Sequence, residues 1–198
     1  MSQKADFAVE AAREQELVAR ARGGDQAAFR LLVERYEGLV AATVIGMLGP
    51  GAEAEDVGQQ VFIKLYEALD QYRGDGGLAP YLTRIAVNQS LNALDKRQRW
   101  RRRFLSRDED DVRAPDPPVG GEPEIDRRER AALVRRAIDQ LPPPFRAVVV
   151  LRMIDGYSTQ ETAVLLGVPL GTVLSRLARA QRRLRDLLGT ILGDDDEG

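Results

Sequence analysis

Residues 158–183 read STQETAVLLGVPLGTVLSRLARAQRR. Ser158 followed three residues later by Glu161 is a capping box, which fixes a helix start. Ala163 is small where two helices must cross closely. Gly167 falls where the chain turns and a positive φ is needed. Val173, six residues further on, anchors a second helix from inside. This Ala, Gly and Val spacing predicts a helix-turn-helix. Pro169 begins the second helix, and Gly171 and Thr172 lie on its first turn. Its exposed positions are Thr172, Ser175, Arg176 and Arg179, followed by Arg182 and Arg183. Such a helix fits the DNA major groove, where hydroxyls and guanidiniums read bases or hold phosphates. An ordinary helical hairpin with a solvated basic face has the same periodicity.

Outward from this segment the chain stays helical. Strand signals are nearly absent. The β-branched run 148–150 sits inside a 3.6-residue frame, so the fold class is all-α. Helices are predicted over about 9–22, 25–48, 53–71 and 80–103, broken at Gly23-Gly24, Gly49-Pro50-Gly51 and the 73–77 loop. Asp25 is the N-cap of the second. Further helices are predicted over about 124–140, 145–153, 158–166 and 170–192, with Pro142-Pro143-Pro144 between the first two. Residues 106–126 hold four Pro, two Gly and eight acids against two bases. That composition cannot bury a core and reads as a flexible tether. The organisation is two small helical domains, 9–105 and 127–192, joined by an acidic linker, 106–126, and ended by an acidic tail, 193–198.

Composition narrows the chemistry. The 198 residues include no Cys and no His. Thiolate metal sites, disulfides and Cys nucleophiles are excluded together, as are His-based triads and the usual zinc site. No catalytic residue, cofactor or metal site is predicted. No apolar run reaches the roughly 18–20 residues of a membrane span, and residues 1–12 lack a signal-peptide core, so a cytoplasmic protein is expected. The net charge of −2 averages unlike segments. Residues 106–126 carry −6, whereas 127–193 carry +7. A local basic surface of this kind is an electrostatic footprint for nucleic acid. Residues 96–104, KRQRWRRRF, add six cations and two aromatics. Phosphate contact by such a segment is strong and salt-sensitive, and aromatics stack on unpaired bases; a solvated helix end with one packed Trp fits it equally. Glu53, Glu55 and Asp56 open the third helix, where acids offset the helix dipole. Used as a metal site they would define a carboxylate enzyme, but converging oxygens are lacking. A dimeric helix-turn-helix regulator, or a pure protein adaptor built on the helical bundle, also accords with this composition.

Five pieces in order resemble a known family: GDQAAF at 24–29, AEDVGQQVF at 54–62, YLTRIAVN at 81–88, Leu141-Pro142, and GTVLSRLARA at 171–180. From about residue 16 to 190 the chain resembles a bacterial extracytoplasmic-function (ECF) sigma factor. The resemblance implies a region 2 domain followed by a region 4 domain. It implies that Glu55, Asp56, Gln59, Gln60 and Phe62 dock on the clamp helices of the largest subunit of core RNA polymerase. Arg73, Tyr81, Asn88, Asn92, Lys96 and Arg97 would recognise and melt the minus-ten element of promoter DNA. Thr172, Ser175, Arg176 and Arg179 would read the minus-thirty-five element, with the other face of that domain on the polymerase flap. An anti-sigma factor, often membrane-bound, is a further implied partner; no small-molecule substrate is. A 21-residue tether reaches roughly 70 Å, enough for elements about 16–18 base pairs apart, some 55–60 Å at 3.4 Å per pair. The family's linker runs toward the RNA exit path, where acids can stand in for RNA. The sequence departs from the family pattern at Tyr81, usually Trp, at Leu78 and Asn92, often Phe and Asp, and at Gln60, often Glu. Leu174 and Ala178 replace residues that are often basic and aromatic, and favour apolar contact with thymine methyls.

Overall fold

The computed structural model describes residues 2–74, 76–104 and 123–193. Among these every regular element is helical. The chain divides into two compact units, Met1–Ser90 and Leu91–Gly198.

In the first unit, α1 (Ser2–Arg22) is followed by α2 (Gln26–Leu48), α3 (Ala52–Ala68) with a closing 3-10 turn (Leu69–Gln71), and the N-terminal part of α4 (Leu78–Phe104). Helix α1 starts seven residues before the expected Val9, since the alanine-rich stretch offers no breaker and favours helix. Asp25 caps α2 as expected, its carboxylate accepting from the Ala27 and Ala28 amides at 2.9 and 3.0 Å. Arg20 holds that carboxylate at 2.7 Å. Leu32, Tyr36, Val40, Val44 and Met47 recur every three or four residues and are buried, which makes one inward stripe of α2. Val61, Leu65 and Leu69 answer from α3 and its closing turn, and Leu78, Leu82 and Ala86 from α4.

The second unit contains α5 (Pro123–Asp139), α6 (Pro143–Val149), α7 (Thr159–Leu166) and α8 (Leu170–Gly193). Ile138, Leu141, Val149 and Ala180 form a buried cluster flanked by Phe145 and Leu184. The helix expected over 145–153 begins earlier, on Pro143, and changes character at Val150, where a π-helical turn (Val150–Ile154) replaces it. The Asp155 amide donates to the Val150 carbonyl at 2.8 Å, and that of Tyr157 to Leu151 at 2.9 Å. Val148 and Val149 at the end of α6 and Val150 and Leu151 in the wider turn are all buried.

The acidic tether lies outside the described residues up to residue 122; α5 takes in its last four. Of the expected tail, only Gly193, the end of α8, is described. Among the described residues no single helix is long and apolar enough to cross a membrane.

Candidate nucleic-acid interface

The helix-turn-helix is built as its sequence reads. The Ser158 amide donates to Glu161 Oε2 at 2.7 Å, and the Glu161 amide donates to Ser158 Oγ at 3.2 Å. Hydrogen bonding to its carboxylate, first from the Ser158 side chain and then from the Ser158 amide, holds the Glu161 carboxyl below its ordinary range. Gly167 ends α7 at φ 62°, a left-handed conformation that costs a residue with a Cβ about 1–2 kcal/mol. The Val168 amide then closes back on the Ala163 carbonyl at 3.1 Å. Val173 is fully buried, as is Ala180 two turns on. With that face of α8 inward, Ser175, Arg179 and Arg182 are exposed, while Thr172 and Arg176 are half-buried on one flank. The Ser175 hydroxyl donates to the Thr172 carbonyl at 3.1 Å, so its oxygen remains an acceptor. Leu174 is 53% exposed and, with exposed Ala178, puts apolar surface beside the cations. Among the described residues, Arg176 and Arg179 are held in no ion pair.

Helix α4 carries a second polar face. Tyr81, Asn88 and Asn92 are spaced by seven and four, one side of an α-helix. Tyr81 is half-buried and both asparagines are exposed, opposite buried Leu82, Ala86 and Leu94. Arg84 is exposed on the same side. Lys96 flanks this stripe. Arg97 does not share it: its helical position falls on the side of Ala86 and Ser90, and it is half-buried. Further on, Trp100 is 58% exposed among exposed Arg99, Arg101, Arg102 and Arg103. Arg73 is exposed in the loop ahead of α4. The Tyr81 ring lies on the buried Tyr72 ring.

The α3 residues form a third surface. Glu55, Gln59 and Phe62 line a groove of about 420 Å³ between α2 and α3, with Val33, Val40 and Ile45 on its other wall. Asp56 and Gln60 are exposed but lie outside the lining. Phe29 and Tyr66 pack edge to face at 5.1 Å and bind α2 to α3. Among the described residues no group of three or more acids is arranged to hold a metal ion.

Two α1 residues that no local motif marks reach the connection between α3 and α4. Glu14 accepts from the Tyr36 hydroxyl and from the Leu78 amide. Arg22 donates to the Leu69 and Tyr72 carbonyls. Burial, then the bond to Glu14, pushes the Tyr36 phenol well above its ordinary value. These pairings span 22 to 64 residues, beyond any spacing rule.

Comparison with known proteins agrees with the resemblance read from the motifs. The family Sigma-70 region 2 matches residues 32–101, and Sigma-70, region 4 matches 131–184. The chain is 40% identical over 179 residues to the ECF RNA polymerase sigma-E factor of Escherichia coli K12, covering 86% of this chain and 92% of that protein. It is 33% identical over 198 residues to the RNA polymerase sigma-H factor of Pseudomonas aeruginosa, covering 91% and 96%. Among solved structures, CnrH in complex with the cytosolic domain of CnrY matches with TM-score 0.62 and 28% identity, over 90% of this chain and 98% of that one. The sigma factor RpoE of Bartonella quintana, crystallised with the anti-sigma factor NepR, shares the fold at TM-score 0.61 and 22% identity, over 81% and 96%. With a capped helix-turn-helix in one unit, a polar α4 face and an α2–α3 groove, and these relatives along nearly its whole length, the chain belongs to the ECF family of RNA polymerase sigma factors.

Proposed function

We propose that the three surfaces divide the work of promoter-specific initiation. The α8 face carrying Ser175 and Arg179, flanked by Thr172 and Arg176, reads the minus-thirty-five element. The α4 stripe of Tyr81, Asn88 and Asn92, with Arg73 ahead of it and Lys96 beyond it, receives the minus-ten element as it opens. Arg97 supports that segment from the inner side. The groove edged by Glu55, Gln59 and Phe62, with Asp56 and Gln60 as its charged and polar surround, seats the clamp helices of core polymerase. Residues 9–105 then act as region 2, 127–192 as region 4 with 123–126 joined to it through α5, and 106–122 as the tether.

The carrying observation is that exposed Ser175 and Arg179, with half-buried Arg176 on the flank, stand on a helix whose inward side is locked by Val173 and Ala180. A fixed helix holds guanidiniums at a set register in a groove. Melting needs no hydrolysis in this scheme: unstacking costs a few kcal/mol per step, and base–aromatic stacking returns about 1–3 kcal/mol per base. The protein therefore works without catalysis of its own, in the cytoplasm, where polymerase and promoter are. An anti-sigma partner fits: CnrH was solved with the cytosolic domain of CnrY, and the sigma factor RpoE of Bartonella quintana with the anti-sigma factor NepR.

Permanganate footprinting of the reconstituted holoenzyme tests the division. Tyr81→Ala should reduce reactivity of minus-ten thymines while duplex binding upstream persists. A footprint matching that of the parent protein would remove Tyr81 from melting.

A further inference from the structure

Three glycines stand between α3 and α4. Gly74, Gly76 and Gly77 all have φ between 82° and 84°, and such a glycine-rich segment has large conformational freedom to lose. Both of its ends are tied to α1. Near the start, the Arg22 guanidinium donates through Nε to the Leu69 carbonyl at 2.7 Å and through the terminal nitrogen Nη2 to the Tyr72 carbonyl. At the end, Glu14 Oε1 accepts the Leu78 amide at 2.9 Å, and Oε2 accepts the Tyr36 hydroxyl. Tyr36 and Leu78 are buried, so the carboxylate is anchored on α2 while it holds the first amide of α4. Glu14 and Arg22 lie eight residues apart on α1, within one broad helical face, and both line one cavity. They face Tyr72, Arg73 and Gly74 across a cavity of about 230 Å³.

We propose that Glu14 and Arg22 are positioning residues for minus-ten recognition: together they clamp the two ends of the 72–78 loop, so that Arg73 and Tyr81 stand in their binding geometry before DNA arrives. The inference rests on the reading that this loop and Tyr81 meet the opened minus-ten strand. Leu78 carries the loop's exit, and Tyr72 carries both the Arg22 bond and the ring on which Tyr81 rests. Releasing either tie frees a segment that must be reordered at each binding event, and that ordering cost is subtracted from affinity.

The test uses holoenzyme reconstituted with bacterial core RNA polymerase. The probe is a fluorescein-labelled single-stranded oligonucleotide enriched from a random pool by the parent holoenzyme. Glu14→Ala and Arg22→Ala should each weaken probe binding about tenfold, the scale of a hydrogen bond to a charged group. Affinity for core polymerase, measured by competition with labelled parent protein, should stay within about twofold, because neither Glu14 nor Arg22 is among the residues lining the α2–α3 groove. Glu14→Gln keeps an oxygen for the Leu78 amide and should recover most of the loss. Parental probe binding by both alanine variants, with Tyr81→Ala weakened, would overturn the clamp and leave the minus-ten reading standing. Parental binding by all three would overturn the reading itself. Loss of core and probe affinity together, with no recovery in Glu14→Gln, would reduce Glu14 to a fold residue and overturn its role. If Glu14→Ala does not fold, Arg22→Ala decides: selective loss supports the clamp, and parental binding overturns it.

Discussion

The Tyr81 ring leans on the Tyr72 ring, centroids 5.0 Å apart and planes tilted by 53°. Tyr72 is buried and Tyr81 half-buried, so one ring is a fixed backing and the other a presented face. This pair explains how Tyr can stand where the family usually carries Trp: a stacking surface is kept and its orientation is set from behind. Tyr81→Ala should lose about 1–3 kcal/mol of base stacking, seen as slower open-complex formation. A pre-melted promoter bubble should restore most of the rate. Tyr81→Phe should behave as the parent, since the ring and not the hydroxyl is used.

The two α8 guanidiniums should differ in kind. Arg179 is exposed on the outward face, whereas Arg176 is half-buried on a flank. Arg179→Ala should cost about 1–3 kcal/mol on the preferred minus-thirty-five sequence and relax preference at one position. Arg176→Ala should weaken all duplexes alike and lower the salt slope by about one, as a phosphate contact does. Binding titrations of the holoenzyme at several salt concentrations, on matched and scrambled elements, separate the two.

Phe62 should matter more to polymerase binding than its charged neighbours do. It lines the α2–α3 groove, whereas Asp56 stands outside that lining. Phe62→Ala should weaken core binding by about 2 kcal/mol, as a buried interface anchor does. Asp56→Asn should act mainly on the association rate and its salt dependence. Stopped-flow fluorescence with labelled core polymerase reads both.

Acid should loosen two helix starts. Asp25 is held below its ordinary 3.8, first by the Ala28 amide and then by Arg20. Glu161 is held below 4.5 by Ser158. Each carboxylate binds fewer protons folded than unfolded near these values, so its contribution is complete above the ordinary pKa and is lost as pH falls through the lowered one. Thermal stability should therefore drop on acidification from about pH 5 downward. Asp25→Asn and Glu161→Gln should each flatten that drop. Ser158→Ala should cost about 0.5–2 kcal/mol at neutral pH through the lost cap.

Much of this was legible because it is local. Asp25, Ser158, Glu161 and Gly167 act within four residues, and their types name their geometry. Val173 follows from the same short-range pattern. The π turn at Val150–Ile154 was not legible, because its sequence keeps the ordinary helical period and carries no local breaker before Asp155. Arg97 looked like one more cation in a basic run; only the phase of a continuous α4 assigns it to the inner side. The groove beside Phe62 needs two helices before it exists. Glu14 reaches Leu78 across 64 residues, and no motif encodes that distance.

The most direct test of the central claim is run-off transcription by purified protein and core RNA polymerase on a library of genomic fragments, with 5′ ends mapped. Starts absent with core alone should appear, each downstream of a paired minus-thirty-five and minus-ten element at constant spacing, and Arg179→Ala with Tyr81→Ala should abolish them. Failure of the protein to associate with core polymerase, or starts that ignore both substitutions, would contradict the account.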